Sequence, residues 1–370
     1  MTTDRLLVGT RKGLFILRHQ GGAWRITDTA FVGDPVPIVL ADPRDGALHA
    51  ALNLGHFGTK YRRSRDGGTT WEDLEPPRYP PKPEGLIDVD PFRKKPVPWN
   101  TEQVWELAIG GADDQVLWCG TIPGGLFRST DGGEHWDLVR SLWDHPDRRK
   151  WTGGGFDFPG VHSISVDPRD ANHVVVAVSV GGVWTTRDGG ETWANTSGGM
   201  RAEYMPPEQA HEPTAQDPHR LVRCPGHPDR CWVQHHNGIF VSSDGAASWQ
   251  EVDPAPQSPF GFAVAVHPTN PDIAWFVPAK KDECRVPVDG RVIVSRTTDG
   301  GASFAALRQG LPQEHAYDLV FRHALDVDAA SGDRLAMGSS TGALWASEDG
   351  GEAWELLSAH LPPIYCVRFG

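Results

Sequence analysis

Histidines near the predicted ends of strands are the residues of this chain best suited to bind a metal ion. Neutral imidazole is a common protein ligand for zinc, iron and copper, and three or four converging imidazoles form a site with an open position. We expect the metal ligands to come from His56, His162, His211, His219, His235 and His236. Their spacing matches no compact metal-binding motif. The alternative is therefore that each histidine only hydrogen-bonds a loop.

The histidines make a geometric prediction that a structure can check. At least three of these six and His315 should line one pocket beside a carboxylate such as Glu102 or Glu283, and either a divalent ion (zinc, iron, manganese or calcium) or a polar ligand should occupy it. No nucleotide cofactor is expected. Neighbouring residues of a strand face opposite sides, so only one of His235 and His236 should point inward, and we expect it to be His235.

Acidic, basic and aromatic side chains occupy the same long loops and indicate a polar substrate. Glycoside hydrolysis needs one carboxyl group as acid and another as nucleophile or base. The predicted catalytic residues are Glu102, Glu283 and Lys280, and other carboxylates of these loops are Glu106, Asp157, Glu203, Glu208, Glu212, Asp217 and Asp282. The predicted substrate-binding residues are Arg11, Lys281, His315, Tyr317 and Trp105. Solvated loop charges and core packing of the tryptophan are the alternatives.

A repeated turn motif must position these loops. The stretch RSTDGGEHW ends at Trp136, and variants of it begin at Ser64, Thr186, Ser242, Thr297 and Ser347. A decayed copy without the aspartate ends at Trp24, and the closing aromatic residues recur every 47–65 residues. Glycines after an aspartate suit a tight hairpin, and the aspartate and hydroxyl side chains can bond backbone N–H groups. The motif therefore predicts a structural turn, here called the box, rather than a catalytic site.

The box pattern S/T-x-D-G-G-x-x-W resembles the Asp-box, or BNR repeat, of sialidases, sortilin-type receptors and xyloglucan-degrading glycosidases. The chain is most similar to single-propeller bacterial proteins labelled glycosyl hydrolases. The resemblance implies a β-propeller and a glycosyl-hydrolase-like activity. The Arg-Ile-Pro motif of the sialidases is missing, and Arg11-Lys12-Gly13 stands in the early region instead. A typical sialidase is therefore not expected.

The segments between boxes predict an all-β fold, a seven-bladed β-propeller that forms a single domain over residues 1–370. Each unit contains four short strands, as in residues 161–166 and 174–178, and the first strand of the sixth box unit is predicted at residues 317–321. The chain starts with a second-strand pattern at 6–10 and ends with a first-strand pattern at 364–369. The last strand should therefore join the N-terminal blade and protect its edge. The long loops 75–100, 141–160, 195–218 and 278–290 should lie opposite the boxes, over the central channel.

Charge and composition exclude several classes of partner. The formal net charge is −13 and basic residues form no stripe, so neither a nucleic acid nor an anionic membrane is an expected partner. The first residues contain no signal-peptide core, which predicts a cytoplasmic protein unless a leader was removed. The five cysteines should be buried thiols. We expect an enzyme that acts on a small polar or carbohydrate ligand. The alternative is a non-catalytic binding or assembly scaffold, and the oligomeric state is left open.

Overall fold

Seven four-stranded antiparallel sheets make up the computed structural model, which describes residues 3–253 and 257–370. Blade one contains β1 (Arg5–Thr10), β2 (Gly13–Gln20) and β3 (Ala23–Ala30). Blade two contains β4 (Ile38–Ala41), β5 (Leu48–Asn53), β6 (Thr59–Ser64) and β7 (Glu72–Leu74). Blade three contains β8 (Gln103–Ile109), β9 (Leu117–Ile122), β10 (Leu126–Ser129) and β11 (Asp137–Leu138).

The remaining blades follow in the same order. Blade four contains β12 (Val161–Asp167), β13 (Asp170–Val178), β14 (Gly182–Thr186) and β15 (Ala194–Asn195). Blade five contains β16 (Pro218–Arg223), β17 (Cys231–His235), β18 (Gly238–Ser242) and β19 (Gln250–Glu251). Blade six contains β20 (Gly261–Val266), β21 (Ala274–Pro278), β22 (Val294–Thr297) and β23 (Ala305–Leu307). Blade seven contains β24 (Leu325–Val327), β25 (Leu335–Gly338), β26 (Leu344–Ser347) and β27 (Glu355–Ser358), and the last strand is β28 (Ile364–Phe369).

Helical structure is confined to the connecting loops of the described residues. One helical turn, α1 (Arg140–Trp143), is accompanied by 3-10 turns at Gly55–Phe57, Pro146–Lys150, Pro207–Gln209, Pro213–Ala215 and Val288–Gly290. No helix in the described part of the chain has the length and apolar character needed to cross a membrane. The five cysteines are free thiols, and all except Cys284 are buried.

The first strands of the blades form a closed ring around the channel. Each first strand contacts that of the next blade, and β28 lies between β24 and β4 in this ring. β28 pairs antiparallel with β1, with Leu6 opposite Phe369 and Gly9 opposite Cys366. A Cβ atom on Gly9 would lie 2.6 Å from the Val36 carbonyl oxygen, so this crossing requires glycine. The predicted seven-bladed fold and its closure by the C-terminal strand are confirmed.

The boxes are the turns between the third and fourth strands of the blades. In the box of blade two, the Ser64 hydroxyl donates to Asp66 Oδ1 at 2.8 Å and accepts from the Gly68 N–H at 2.8 Å. Asp66 Oδ1 also accepts from the Thr70 N–H at 2.9 Å, and Gly67 and Gly68 have φ angles of 73° and 101°. Because strands alternate in direction, these turns lie on one face. The connections between second and third strands, and between blades, lie on the other face.

One strand prediction is wrong. The first strand of blade seven is Leu325–Val327, whereas the segment predicted as that strand, residues 317–321, lies in the preceding loop. Leu319 and Val320 are buried, which explains their apolar pattern, but the Leu319 N–H bonds the Ser340 hydroxyl at 3.1 Å instead of a neighbouring strand. The shift places Arg322 and His323 immediately before the true strand, where side chains face the channel mouth.

Candidate functional site

A cavity of about 800 Å³ opens on the face opposite the boxes. Its wall comes from loops and strand ends of several blades, so it lies where the sequence predicts a site. Residues of the wall include Trp105, Gly154, Phe156, Asp217, His219, His236, Phe262, Asp282, Arg285, Arg322 and His323. Aromatic rings and charged groups therefore share one enclosure, which is the usual composition of a small-molecule site.

Three potential metal ligands converge in this wall. Asp217 and His219 stand two residues apart at the start of β16, so their side chains point to the same side. His236 follows the end of β17, the strand paired with β16. The distance from His219 Nε2 to Asp217 Oδ2 is 3.4 Å, and that from His236 Nδ1 to the same oxygen is 3.4 Å. One donor atom from each of the three residues lies within 4.8 Å of the other two.

The orientation of His219 is fixed by its surroundings. Its Nδ1 lies 2.6 Å from the Gly261 carbonyl oxygen, which can only accept, so Nδ1 carries the proton. In the neutral ring the lone pair is then on Nε2 and points toward Asp217. The ring also stacks on Phe262, with centroids 4.5 Å apart and an interplanar angle of 16°. A backbone carbonyl that fixes the tautomer of a histidine is typical of metal ligands.

Two further hydrogen bonds hold Asp217 in place. The Val180 N–H donates to Asp217 Oδ1 at 3.3 Å, and the Asp217 N–H donates to His235 Nε2 at 3.0 Å. A Cβ atom on Gly154 would lie 3.3 Å from both carboxylate oxygens, so the glycine leaves space beside them. The expectation that His235 points inward is wrong: His236 lines the cavity, while His235 is buried and accepts from the Asp217 N–H.

Burial and charge act in opposite directions on these groups. Burial alone would raise the pKa of the Asp217 carboxyl, but His219 and His236 hold it well below its usual range. Burial lowers the pKa of His219 despite the opposing charge of Asp217. Burial also disfavours charge on His236, but the hydrogen bond and charge of Asp217 outweigh it and raise its pKa. Burial lowers the pKa of His235 to about 3, so this ring is neutral.

A second cluster of charges surrounds buried Glu106 next to the cavity. Its carboxylate bonds Arg220, lies 3.2 Å from His323 Nε2 and lies 3.7 Å from Arg368 Nη2. Burial would raise the pKa of Glu106, but Arg220, His323 and Arg368 together hold it well below its usual range. His323 Nε2 also lies 2.8 Å from the His162 carbonyl oxygen. Glu106 offsets part of the positive charge of Arg220 and Arg368, and the cluster is best explained as a clamp that joins four blades.

The structure brings together only some of the residues predicted from the sequence. Trp105, His219 and His236 line the cavity, so two of the seven histidines meet there instead of at least three. His162 is buried behind Trp105, with ring centroids 5.4 Å apart, and its Nδ1 lies 3.0 Å from the Ser163 hydroxyl. Outside the cavity wall lie Arg11, His56, Glu102, His162, His211, His235, Lys280, Lys281, Glu283, His315 and Tyr317.

The outlying residues have other surroundings. His211 is exposed, and its Nδ1 lies 2.9 Å from the Met200 carbonyl oxygen. Lys281 and Glu283 form an exposed ion pair of 3.4 Å. Glu102 is an exposed residue. The part of it that is buried, together with the nearby charge of Asp157, raises the pKa of its carboxyl group. Arg11, His56, Lys280, His315 and Tyr317 are exposed as well.

No family model matches the chain. It is 25% identical over 292 residues to the oligoxyloglucan-reducing end-specific xyloglucanase of Emericella nidulans. The aligned region covers 71% of this chain and 33% of that protein. It is 26% identical over 170 residues to the photosystem II assembly lipoprotein Ycf48 of a Synechococcus species, covering 46% of this chain and 39% of that protein. The chain thus spans between a third and two fifths of these relatives.

Solved structures share the fold. The GH74 xyloglucanase of Xanthomonas campestris superimposes with a TM-score of 0.64 at 18% identity, over 96% of this chain and 53% of that one. Ycf48 bound to D1 peptide superimposes with a TM-score of 0.50 at 16% identity, over 83% of this chain and 78% of that one. The protein is a seven-bladed β-propeller. Its relatives, the GH74 xyloglucanases and Ycf48, are consistent with the Asp-box propeller family that the repeats indicate.

Proposed function

We propose that the protein is a metal-dependent hydrolase for a small polar substrate, with a divalent ion held by Asp217, His219 and His236. The observation that carries the proposal is the convergence of three donor atoms, with His219 Nε2 and His236 Nδ1 each 3.4 Å from the same carboxylate oxygen of Asp217. A cation between such buried groups, a proton or a metal ion, offsets their mutual repulsion, and we propose that a metal ion fills this role. The Gly261 carbonyl already holds the proton of this ring on Nδ1.

The spacing and type of the donors fit such an ion. Two ligands that are each about 2.1 Å from a tetrahedral ion lie roughly 3.4 Å apart, which is the separation from Asp217 Oδ2 to both histidine nitrogens. Two imidazoles and one carboxylate favour zinc, iron or manganese over calcium, which prefers oxygen ligands. Three protein ligands leave at least one coordination position for water or substrate.

The bound ion would polarise the substrate and lower the pKa of a coordinated water molecule. Hydrolysis divides that water between the products, with hydroxyl on the attacked centre and a proton on the leaving group. The chain itself supplies the enclosure. Trp105, Phe156 and Phe262 provide apolar surface for the body of the substrate, and the Gly261 carbonyl keeps His219 in the ligand tautomer.

The alternative two-carboxylate mechanism of glycosidases finds less support in the cavity. That mechanism needs one carboxyl group that stays protonated to act as the acid. His219 and His236 hold the pKa of Asp217 well below its usual range, so this carboxyl group does not keep a proton, and Asp282 is bonded to Arg285. The names of the xyloglucanase relatives still favour a carbohydrate among the substrates to be tried.

The test is a panel of nitrophenyl glycosides, carboxylic esters and phosphate esters. Purified protein should hydrolyse at least one class, lose this activity after chelation and regain it with zinc, manganese or ferrous ion. Asp217→Asn keeps the side-chain shape and should remain inactive after metal is added. His56→Ala removes an exposed histidine that is not itself part of the cavity wall, so it is the matched control and should stay active. Equal activity of the chelated protein or of Asp217→Asn would contradict the proposal.

A second candidate function is the binding of a protein segment without catalysis. It is favoured by the similarity to Ycf48, one structure of which contains a D1 peptide. In this case the cavity would hold a peptide side chain, and no bond would be broken. A defined motif selected from a random peptide library, together with no turnover in the panel, would favour it. No selected motif together with metal-dependent turnover would favour the hydrolase.

A further inference from the structure

Arg322 occupies an unusual position in the cavity wall. The residue lies just before β24 in the chain, and it is only 9% exposed. The guanidinium carbon lies 4.7 Å from the ring centroid of Trp105 and 5.1 Å from that of Phe262. Stacking against aromatic rings stabilises a cation and fixes the plane of the guanidinium.

The guanidinium of Arg322 makes no hydrogen bond or ion pair within residues 3–253 and 257–370, and its Nε is buried without a partner. Burial lowers its pKa to about 10, against the raising effect of Asp217, so the group is still charged at neutral pH. A buried charge without a paired anion is strongly disfavoured in proteins. Arg220 illustrates the usual arrangement, since its guanidinium bonds the Glu106 carboxylate.

Arg285 adds positive charge on the same side of the cavity. Its guanidinium carbon lies 5.3 Å from the Phe262 centroid, so both arginines contact one ring. Arg285 is bonded to Asp282. Asp217 is the carboxylate whose charge raises the pKa of Arg322, but it contacts His219 and His236 instead. Within the described residues, Arg322 is therefore the buried arginine of this wall whose guanidinium has no carboxylate partner.

We infer that Arg322 binds an oxyanion of the substrate, a carboxylate or a phosphate, whose remaining body packs on Trp105 and Phe262. The planar fork of arginine matches two oxygens of either group. This inference rests on the proposal that the cavity is the substrate site, but it does not require the metal. It restricts the substrates to anionic molecules, such as acidic sugars or phosphate esters.

Calorimetric binding to chelated protein tests the inference independently of metal and turnover. The probes are glucuronate, glucose, glucose 6-phosphate and inorganic phosphate. We expect wild-type protein to bind at least one anionic probe, and glucose at least about 10-fold more weakly, because a charged hydrogen bond contributes a factor of this size. Preference for glucuronate would identify a carboxylate, and preference for the phosphates would identify a phosphate.

Two variants and a control assign the effect to Arg322. Arg322→Gln should weaken the preferred anion at least about 10-fold, and Arg322→Lys, which keeps the charge but loses the fork, should weaken it less. Arg291→Gln removes an exposed arginine and should bind as wild type does. Equal binding of glucose and the anions by wild-type protein, or unchanged binding by folded Arg322→Gln, would overturn the inference. Because binding is measured on chelated protein, the result does not depend on whether the proposed metal site exists.

Discussion

Replacing Ile364 with alanine tests the closure of the ring most sharply. Ile364 begins β28, is fully buried, and belongs to the core that blade one shares with blade seven. The change removes three carbon atoms. At about 0.8 kcal/mol per buried carbon, their transfer contributes about 2.4 kcal/mol, and the remaining cavity brings the loss to roughly 3–4 kcal/mol. The side chain also fills the space beside Gly338, so little collapse of the cavity is expected.

The same blade offers a matched control. Ile26 lies on β3, the outermost strand of the sheet that contains β28, and is 46% exposed. Ile26→Ala removes the same atoms but should cost only about 1 kcal/mol, because half of the side chain is already in water. Urea unfolding followed by tryptophan fluorescence gives both values from the shifts of the midpoint. A loss at Ile364 no larger than that at Ile26 would refute the reasoning.

Three further predictions concern the strand, the box and a buried histidine. Deleting residues 364–370 should destabilise the protein more than any single substitution in β28, because the backbone edge of β1 is also exposed; thermal unfolding at the wild-type temperature would refute this. Asp131→Ala removes the acceptor of three box hydrogen bonds and should lower the free energy of unfolding by about 1 kcal/mol without changing the metal content. Asp137→Ala, at a neighbouring exposed position, should leave the free energy of unfolding in urea almost unchanged. Equal losses of stability in the two variants would contradict the role of the box. Burial lowers the pKa of His49 to about 4, below its unfolded value near 6.5, so its contribution is complete above pH 6.5 and is lost as the pH falls toward 4. His49→Asn keeps an acceptor for the Tyr61 hydroxyl, which lies 2.6 Å from His49 Nδ1 in the wild type. The variant should reduce the pH dependence of the unfolding free energy in this range by up to about 1.4 kcal/mol per pH unit. An unchanged slope would show that folding does not lower the pKa of His49.

The fold could be predicted because its signals are local. Each box encodes its own turn through the hydroxyl and carboxylate bonds and the positive φ angles of its glycines, as at Ser64, Asp66 and Gly68. The repeat spacing then gives the number of blades. The strand predicted at 317–321 failed because Leu319 and Val320 are buried in a loop, and burial alone produces the apolar pattern of a strand.

The cavity could be predicted only in part. Asp217 and His219 are two residues apart at the start of a first strand, and His236 directly follows the paired second strand, so their meeting follows from the hairpin. His56 and His315 lie in equally suggestive places in the sequence, but exposed loop conformations decide where they point. Arg322 and His323 were missed because the first strand of blade seven was predicted too early in the chain. The true strand begins just after them, much as β16 begins beside Asp217 and His219, and this position is the signal that could have found them.

The central claim is that Asp217, His219 and His236 hold one divalent ion, and calorimetric titration of chelated protein with zinc and manganese tests it directly. Wild-type protein and the His56→Ala control should each bind one ion per chain. His219→Ala, which removes the ligand fixed by the Gly261 carbonyl, should lose that binding while unfolding cooperatively in urea. Absence of binding by the wild type, or equal stoichiometry and affinity in folded His219→Ala, would contradict the account.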